Sequence, residues 1–248
     1  MWKTAWITGA GTGIGRAVAL ELARDGVRVA VSGRSADTLA KLAAEHPNIE
    51  AFPLDVTDRA NTALAAEAIE NSLGPLDLVI FGAGNYKPAT AAHFVADDFD
   101  QMMDVNYRGV INGLAAMVPR MRARRSGHIA WIASVAGYRG LPKAAAYGPT
   151  KAALINLAEC LQPELSRDGV TVSVINPGFV KTPLTAQNDF PMPFLMEADE
   201  AGRLTVKGLK ARKFEIAYPW PFVTILKIMR ILPYALYLKI IRRQVLEP

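Results

Sequence analysis

The segment Trp2-Lys3-Thr4-Ala5-Trp6-Ile7, followed by Thr8-Gly9-Ala10-Gly11-Thr12-Gly13-Ile14-Gly15, decides the fold of this 248-residue chain. Residues 2–7 are typical of a short buried strand, and residues 13–25 have the apolar spacing of a helix. Between them, backbone amides and a helix N-terminus can face a pyrophosphate without interference from a Cβ atom. The segment therefore predicts a first β-α unit with a nucleotide-binding loop.

The glycines of this loop lie at alternate positions, and no register of them matches the general dinucleotide pattern G-x-G-x-x-G. A glycine-rich turn that binds nothing is the alternative interpretation. The function of the loop therefore has to be judged together with other segments.

Strands and helices alternate along the rest of the chain. Further strands are predicted at 27–32, 49–54, 76–81, 128–133 and 170–175, and helices at 36–45, 57–72, 97–124 and 145–166. Near-continuous apolar strands separated by helices predict a parallel sheet covered on both faces, with right-handed crossovers. The predicted fold class is α/β, a doubly wound parallel sheet (Rossmann-like), in a single domain over residues 1–248.

Composition and charge narrow the class of protein. The single cysteine, Cys160, excludes an intrachain disulfide and a thiolate metal cluster, so no metal site is predicted. Residues 1–200 carry 18 basic and 21 acidic side chains, a net charge of −3, whereas residues 201–248 carry 10 and 2, a net charge of +8. A nucleic-acid partner would favour a basic stripe on the main body of the protein. Because the positive charge lies in an apolar tail instead, a membrane surface or an acidic partner is favoured. Without a secretory signal before the first strand, a cytoplasmic location is expected.

Two segments follow the last predicted strand. Residues 181–218 interrupt the alternation and carry several prolines, and they are predicted to form a substrate lid, because loops at the carboxyl ends of strands build the binding crevice. An ordinary excursion between elements is the alternative. Residues 219–248 form an apolar, basic C-terminal tail.

The tail is apolar from Phe222 to Ile241, but a spanning helix is not predicted, because two cations near its middle would each cost about 2.5–3.5 kcal/mol at the bilayer centre. The residues that interrupt the apolar run are Lys227, Arg230, Pro233 and Lys239. Such a helix must be covered by a subunit interface, a pocket wall, or the inner face of a membrane with basic flanks at Arg242 and Arg243. These alternatives do not exclude one another.

The end of the second predicted strand bears on the cofactor. Dinucleotide sites place an acid here to bind a ribose 2′-hydroxyl, or an arginine to accommodate a 2′-phosphate. This chain has Gly33-Arg34 and no acid, so NADP(H) is favoured over NAD(H). The alternative is a solvated Arg34 at the start of the next helix, with Asp37 weakening its field.

Three polar residues predict an acid/base centre. Ser134 follows a predicted strand, and Tyr147 and Lys151 lie four apart, on one face of a helix. A tyrosine pKa of about 10 must fall toward 7 for acid/base work, which requires about 4 kcal/mol. The ammonium of Lys151 would favour the tyrosinate. Taken alone, a Tyr-x-x-x-Lys spacing is more often a surface helix pair.

Together with the glycine loop, these residues resemble the classical short-chain dehydrogenase/reductase family from Lys3 to about Thr182. The matching segments are Thr8-Gly9-x-x-x-Gly13-x-Gly15, Asp55-Val56, Asn106, Ser134, Tyr147-x-x-x-Lys151 and Pro177-Gly178-Phe179-Val180-Lys181-Thr182. The family resemblance implies that Tyr147 is the acid/base, Ser134 positions the substrate and Lys151 binds the nicotinamide ribose and lowers the tyrosine pKa. It also implies that Asn106 holds a water in the proton relay.

Cofactor contacts are expected from the loop, from Arg34 and from the resemblance. They are Gly9, Thr12, Gly13, Ile14, Gly15, Arg34, Asp55, Val56, Ala83, Gly84, Tyr147, Lys151, Pro177, Gly178, Val180 and Thr182. Two positions depart from the family pattern. Phe81-Gly82-Ala83-Gly84 stands where the family often has Asn-Asn-Ala-Gly, which predicts a local packing difference, and Thr12 replaces the basic loop residue of some NADP-preferring relatives.

The expected function is NADP(H)-dependent interconversion of a carbonyl and a secondary alcohol on an apolar small molecule, by a homo-oligomer. One alternative is a redox-neutral or lyase step on a sugar-like substrate, which the apolar residues Phe179, Leu184, Phe190 and Phe194 disfavour. The other is a cofactor sensor or membrane-associated scaffold of the same fold without turnover.

Overall fold

Seven strands form one parallel sheet in the computed structural model, which describes residues 2–246. In chain order they are β1 Thr4–Thr8, β2 Arg28–Ser32, β3 Ile49–Ala51, β4 Leu78–Phe81, β5 Gly127–Ile132, β6 Val170–Pro177 and β7 Glu215–Tyr218. Their spatial order is β3-β2-β1-β4-β5-β6-β7, so the direction of winding reverses between β3 and β4. This doubly wound arrangement confirms the predicted fold class and leaves a crevice at the carboxyl ends of β1 and β4.

Helices cover both faces of the sheet. Within residues 2–246 they are α1 Gly13–Arg24, α2 Ala36–Glu45, α3 Arg59–Leu73, α4 Ala96–Met103, α5 Gly109–Ala123, α6 Tyr147–Arg167, α7 Ala198–Lys210, α8 Trp220–Ile231 and α9 Tyr234–Leu246. A π-helical turn, Asp104–Arg108, joins α4 to α5, so the long helix predicted over 97–124 is continuous but locally widened.

The alternation of side chains along each strand divides the core into two layers. Trp6 and Trp131 point into a layer covered by α3, α5 and α6, and both are fully buried. Ile7 and Ile80 point into the opposite layer, covered by α1, α2 and α7. Complete burial of each isoleucine side chain stabilises the fold by about 1.5–3 kcal/mol.

The predicted lid, residues 181–218, contains two kinds of structure. Residues 198–210 form α7, whose Gly202 lies so close to α1 that a Cβ would be 2.8 Å from the Cβ of Ala17. Residues 215–218 form β7 at the edge of the sheet. The prolines that suggested a loop all precede α7 or follow β7, and the role of residues 181–218 as a substrate lid stays a prediction. Only residues 181–197 remain loop-like beside the crevice.

The tail folds as α8 and α9, separated at Leu232 and Pro233. The division occurs at the proline because proline cannot continue a helix without losing a hydrogen bond. Among residues 2–246, no helix is both long enough and apolar enough to cross a bilayer.

Candidate active site

The glycine loop places the N-terminus of α1 at the crevice. Gly9 and Gly13 have φ angles of 68° and 57°, in the left-handed region that favours glycine. A Cβ on Gly15 would lie 2.4 Å from the carbonyl oxygen of Gly9. Thr12, the N-cap of α1, makes no side-chain capping bond, so the first-turn amides remain available to an anion.

The departure at Phe81-Gly82-Ala83-Gly84 has a structural explanation. The Thr8 hydroxyl accepts hydrogen bonds from the amides of Gly82 at 3.1 Å and Ala83 at 3.4 Å. A Cβ on Gly82 would lie 2.9 Å from both the carbonyl oxygen of Thr8 and the Cδ1 of Ile132. Thr8 therefore joins β1 to the end of β4, and position 82 has no room for a larger side chain.

A single cavity of about 510 Å³ opens between the glycine loop, the end of β4 and the N-terminus of α6. All the cofactor contacts predicted from the sequence line it, together with Ser134. The predicted residues, scattered between positions 9 and 182, thus meet at one site. The volume is in the range of about 300–1,000 Å³ typical of small-molecule sites.

One end of the cavity is polar and charged. Arg34 is exposed there, beside Ser35 and Thr38, whose hydroxyl oxygens lie 2.8 Å apart. Across from them, the amide and hydroxyl of Thr57 hydrogen-bond to Asp55 at 3.0 and 2.8 Å. These bonds hold the pKa of Asp55 below its usual range, and the charge of Arg34 adds to the effect. Asp55 is therefore ionised at neutral pH.

The other end holds the predicted acid/base residues. Ser134 begins a 3₁₀ turn after β5; its Oγ accepts the amide of Ala136 at 3.1 Å and donates to the Pro177 carbonyl at 3.3 Å. Tyr147 is the first residue of α6, and the Ser134 side chain lies beside its hydroxyl. Lys151 lies one turn later, with its Nζ 5.4 Å from the centre of the Tyr147 ring and 2.9 Å from the carbonyl oxygen of Ile132.

Burial dominates the pKa values of this pair. It raises the pKa of Tyr147 to about 12, although the hydrogen bond with Ser134 acts in the opposite direction. It also lowers the pKa of Lys151 to about 7, because the ammonium loses its hydration. Burial thus outweighs the other influences on the Tyr147 pKa, and the role of Lys151 in lowering that pKa stays a prediction.

Asn106 lies behind the cavity, in the π-helical turn, and is fully buried. Its Nδ2 donates to the carbonyl of Asn85 at 2.9 Å and to the hydroxyl of Thr150 at 3.1 Å, and its Oδ1 accepts the amide of Asn85 at 2.6 Å. A Cβ on Gly84 would be 3.6 Å from this Oδ1 and 3.8 Å from the Nζ of Lys151. Asn106 is thus close to the lysine, but its amide is engaged by protein groups, and its role in holding a water stays a prediction.

Comparison with known proteins identifies the family. The model of the short chain dehydrogenase family matches residues 3–191, which include every predicted site residue. The chain belongs to the short-chain dehydrogenase family. As a member, it is an NAD(P)-dependent dehydrogenase or reductase, and its fold binds a nicotinamide cofactor.

Individual relatives agree with this assignment. The chain is 39% identical over 240 residues to an uncharacterized oxidoreductase of Myxococcus xanthus, with 95% of each chain covered. It is similar to the crystal structure of a short chain dehydrogenase/reductase from Burkholderia phymatum in complex with NAD, at 25% identity, a TM-score of 0.83 and 92% coverage of both chains. ElxO with NADP bound shares the fold at 24% identity, with a TM-score of 0.77 and coverage of 88% of this chain and 98% of that one.

Several residues of this dehydrogenase's site were not predicted from the sequence. Ser35 and Thr38 flank Arg34, and Asn85 follows Gly84 directly. Tyr86 packs edge-on against Tyr147, with the ring centres 5.2 Å apart. Ser35 and Asn85 could have been predicted from the sequence, because each directly follows a predicted cofactor contact. The position of Tyr86 depends on how the β4 loop folds over α6, which no local pattern reveals.

The residues present fit a nicotinamide dinucleotide. Gly13 lies close to Thr182 across the loop. A Cβ at position 13 would be 2.8 Å from the Cγ2 of Thr182, so only glycine fits there. Backbone amides of the loop suit a pyrophosphate, and the polar groups at the two ends suit ribose hydroxyls. When bound, the nicotinamide ring gives or accepts a hydride.

Proposed function

We propose that this dehydrogenase is an NADP(H)-dependent oxidoreductase that interconverts a carbonyl and a secondary alcohol on an apolar small molecule. The observation that carries the proposal is the convergence of Ser134, Tyr147 and Lys151 at the end of the cofactor cavity. A hydroxyl pair with an adjacent amine is a proton-transfer unit, and a carbonyl reduction needs one proton for each hydride.

In the direction of reduction, the Tyr147 hydroxyl gives its proton to the substrate oxygen, and Ser134 donates a hydrogen bond to that oxygen. Tyr147 takes the proton back in the direction of oxidation. Lys151, with its pKa near 7, changes charge near neutral pH. As an ammonium it stabilises the tyrosinate, and its neighbour Asn106 holds the relay geometry through Asn85 and Thr150.

The NADP(H) preference is supported by Arg34 and the two hydroxyls of Ser35 and Thr38 beside it. A guanidinium makes charge-assisted bonds to a phosphate, and serine and threonine hydroxyls add neutral donors. The solved structures similar to this chain include one with NAD and one with NADP, so the preference is argued from this chain's own residues. The other predicted cofactor contacts line the same cavity, and we propose that they bind the same cofactor.

An apolar substrate is supported by aromatic rings beside the lid loop 181–197. The ring centre of Phe179 lies 6.0 Å from that of Phe190 and 5.5 Å from that of Phe222, and Phe194 is 6.1 Å from Phe222. Phe179 itself lies in the segment after Pro177, between the cavity-lining residues Gly178 and Val180. Such a wall favours a hydrophobic ligand, because it offers large apolar area and few hydrogen-bond partners.

We further propose that the protein acts in the cytoplasm as a homo-oligomer, and that the tail 219–248 contacts the inner face of a membrane. The wide apolar surface of α8 and the basic residues of α9 support this contact.

The substitution Tyr147→Phe tests the chemistry. We expect turnover of a working ketone, aldehyde or sterol to fall about 10²–10⁴-fold, while NADPH affinity measured by fluorescence stays unchanged. Tyr234→Phe, which removes a hydroxyl from an exposed ring of α9, is the matched control. Near wild-type turnover by Tyr147→Phe would refute the proposed mechanism. If the wild-type protein binds NADPH but consumes none over the whole substrate panel, a sensor or scaffold is indicated.

A further inference from the structure

The outer face of α8 exposes large apolar side chains, with the exposed Thr224 and Lys227 among them. Trp220, Ile228 and Ile231 are 78%, 54% and 80% exposed, and their spacing of eight and three residues places them on one side of the helix. Val223 and Leu226 are buried against the sheet layer of α3, α5 and α6. These contacts hold α8 on the core and leave Trp220, Ile228 and Ile231 exposed.

The charge carried by α8 and α9 has one sign. Residues 220–246 contain no Asp or Glu, but they carry five cations, which are Lys227, Arg230, Lys239, Arg242 and Arg243. Lys227 pairs with Glu215 of β7. Among the described residues, the other four cations form no salt bridge, and all four are exposed.

This charge distribution discriminates between two occupants. In a symmetric dimer, α8 and α9 of one copy would pack against α8 and α9 of the other. Cations would then face cations, because neither helix has a carboxylate to pair with them. An anionic lipid surface would attract the same cations. The exposed Trp220 and Tyr234 add the amphipathic rings that are enriched at membrane interfaces.

We propose that the outer face of α8, with the exposed basic residues of α9, docks on the headgroup region of a bilayer that contains anionic phospholipid. Two helices broken at Pro233 suit this mode, because they can lie in the plane of the interface. The inference identifies the face and the lipid chemistry behind the proposed tail contact. It rests on that contact and is independent of the proposed catalytic chemistry.

The docking surface adjoins the lid. Phe222, near the start of α8, stacks on Phe179 and lies 6.1 Å from Phe194, measured between ring centres. Phe194 and its neighbour Leu195 are themselves 48% and 45% exposed. A bilayer that receives α8 would therefore lie beside the lid loop 181–197, next to the proposed apolar substrate.

Vesicle sedimentation without substrate or cofactor tests the docking. Vesicles of phosphatidylcholine alone are compared with vesicles that also contain phosphatidylglycerol. We expect the full-length protein to bind the anionic vesicles at least about ten-fold more tightly, and added salt to weaken that binding. Failure to bind anionic vesicles, or equal binding to both kinds, would overturn the proposal without affecting the catalytic assignment.

Paired variants locate the surface. Ile228→Glu/Ile231→Glu should lower binding to anionic vesicles about ten-fold or more, whereas Leu64→Glu, at a 61% exposed leucine of α3, should leave it unchanged. Equal loss in both variants would show that α8 has no special role. Circular-dichroism melting verifies that each variant is folded.

Two further measurements separate charge and self-association. Lys239→Gln/Arg242→Gln/Arg243→Gln should weaken anionic binding, whereas the same charge loss at Lys41, Arg203 and Lys207 should have a clearly smaller effect. Light scattering gives the oligomeric state. If Ile228→Glu/Ile231→Glu dissociates an oligomer and the wild-type protein does not bind vesicles, the outer face of α8 is a subunit interface and the lipid proposal is wrong.

Discussion

At the residue scale, the proposed preference for NADP(H) rests mainly on one side chain. Arg34 stands where a dinucleotide fold distinguishes a ribose 2′-hydroxyl from a 2′-phosphate, and the hydroxyls of Ser35 and Thr38 lie beside it. Asp55 also lines this end of the cavity, but its carboxylate is negative and would repel a phosphate, and its Oδ1 accepts two hydrogen bonds from Thr57. Arg34 is therefore the group best placed to favour a phosphate.

The substitution Arg34→Ala tests this preference. We expect NADPH affinity to fall about 10- to 100-fold, since a charge-assisted bond contributes about 1.5–3 kcal/mol, while NADH affinity changes little. Fluorescence titration of both cofactors measures the two affinities. Equal affinities of the wild-type protein for NADPH and NADH would show that the cofactor preference is absent.

At the element scale, a single arginine joins the tail to the loop that follows Ser134. The Nη1 of Arg139 is within 2.7–2.9 Å of the carbonyl oxygens of Met229, Arg230 and Leu232, at the C-terminus of α8. Its guanidinium carbon also lies 4.0 Å from the ring centre of Tyr237 in α9. The last carbonyls of a helix have no hydrogen-bond donor within the helix. Arg139 supplies a charged donor for these carbonyls at the C-terminus of α8.

Removing this connection should destabilise the tail. We expect Arg139→Ala to lower the free energy of unfolding by about 1–3 kcal/mol, because the carbonyls lose a charged donor and Tyr237 loses its cation–π contact. Urea denaturation measures the change. Arg24→Ala, at an exposed arginine whose ion pair with Glu21 is 3.6 Å long, should change it by less than about 0.5 kcal/mol. Equal effects of the two substitutions would remove the special role of Arg139.

At the scale of the whole molecule, the sheet holds one histidine neutral. His128 of β5 is 2% exposed, and burial together with the charge of Arg212 lowers its pKa to about 4. The Ser173 hydroxyl donates to the carbonyl of Lys213 at 2.6 Å, so it accepts from the Nε2 of His128 at 2.8 Å. The neutral ring with its proton on Nε2 satisfies this chain of hydrogen bonds.

This histidine makes stability depend on pH. Between pH about 6.5 and about 4 the unfolded chain binds a proton that the folded chain does not, so acid favours unfolding in this window. The contribution of neutral His128 to the free energy of unfolding is fully present above pH 6.5. By pH 4 the protein has lost about 3 kcal/mol of stability through this group. Urea denaturation from pH 7.5 to 4.5 should show a shallower loss for His128→Gln than for the wild-type protein. Parallel curves for the two proteins would contradict this account.

Most of the fold was predictable, because its signals are local. The strand-loop-helix unit at Gly9, Gly13 and Gly15 follows from residue types alone, and alternating apolar segments predict the parallel sheet. Two elements, α7 and β7, were missed. β7 has only four residues, too few for a clear period, and nearby prolines favoured a loop. The π-helical turn at Asn106 was missed too, because no residue pattern marks it.

The sequence by itself determined the α/β class, the order of the site residues and the family, since these depend on spacing and periodicity within single elements. Only the tertiary structure decided the pKa values of Tyr147 and Lys151, the partners of Asn106 and which face of α8 stays exposed. Each of these depends on burial and on contacts between residues far apart in the chain. Such contacts exist only after helices pack on the sheet, because hydration and neighbouring charges are then fixed by the whole fold.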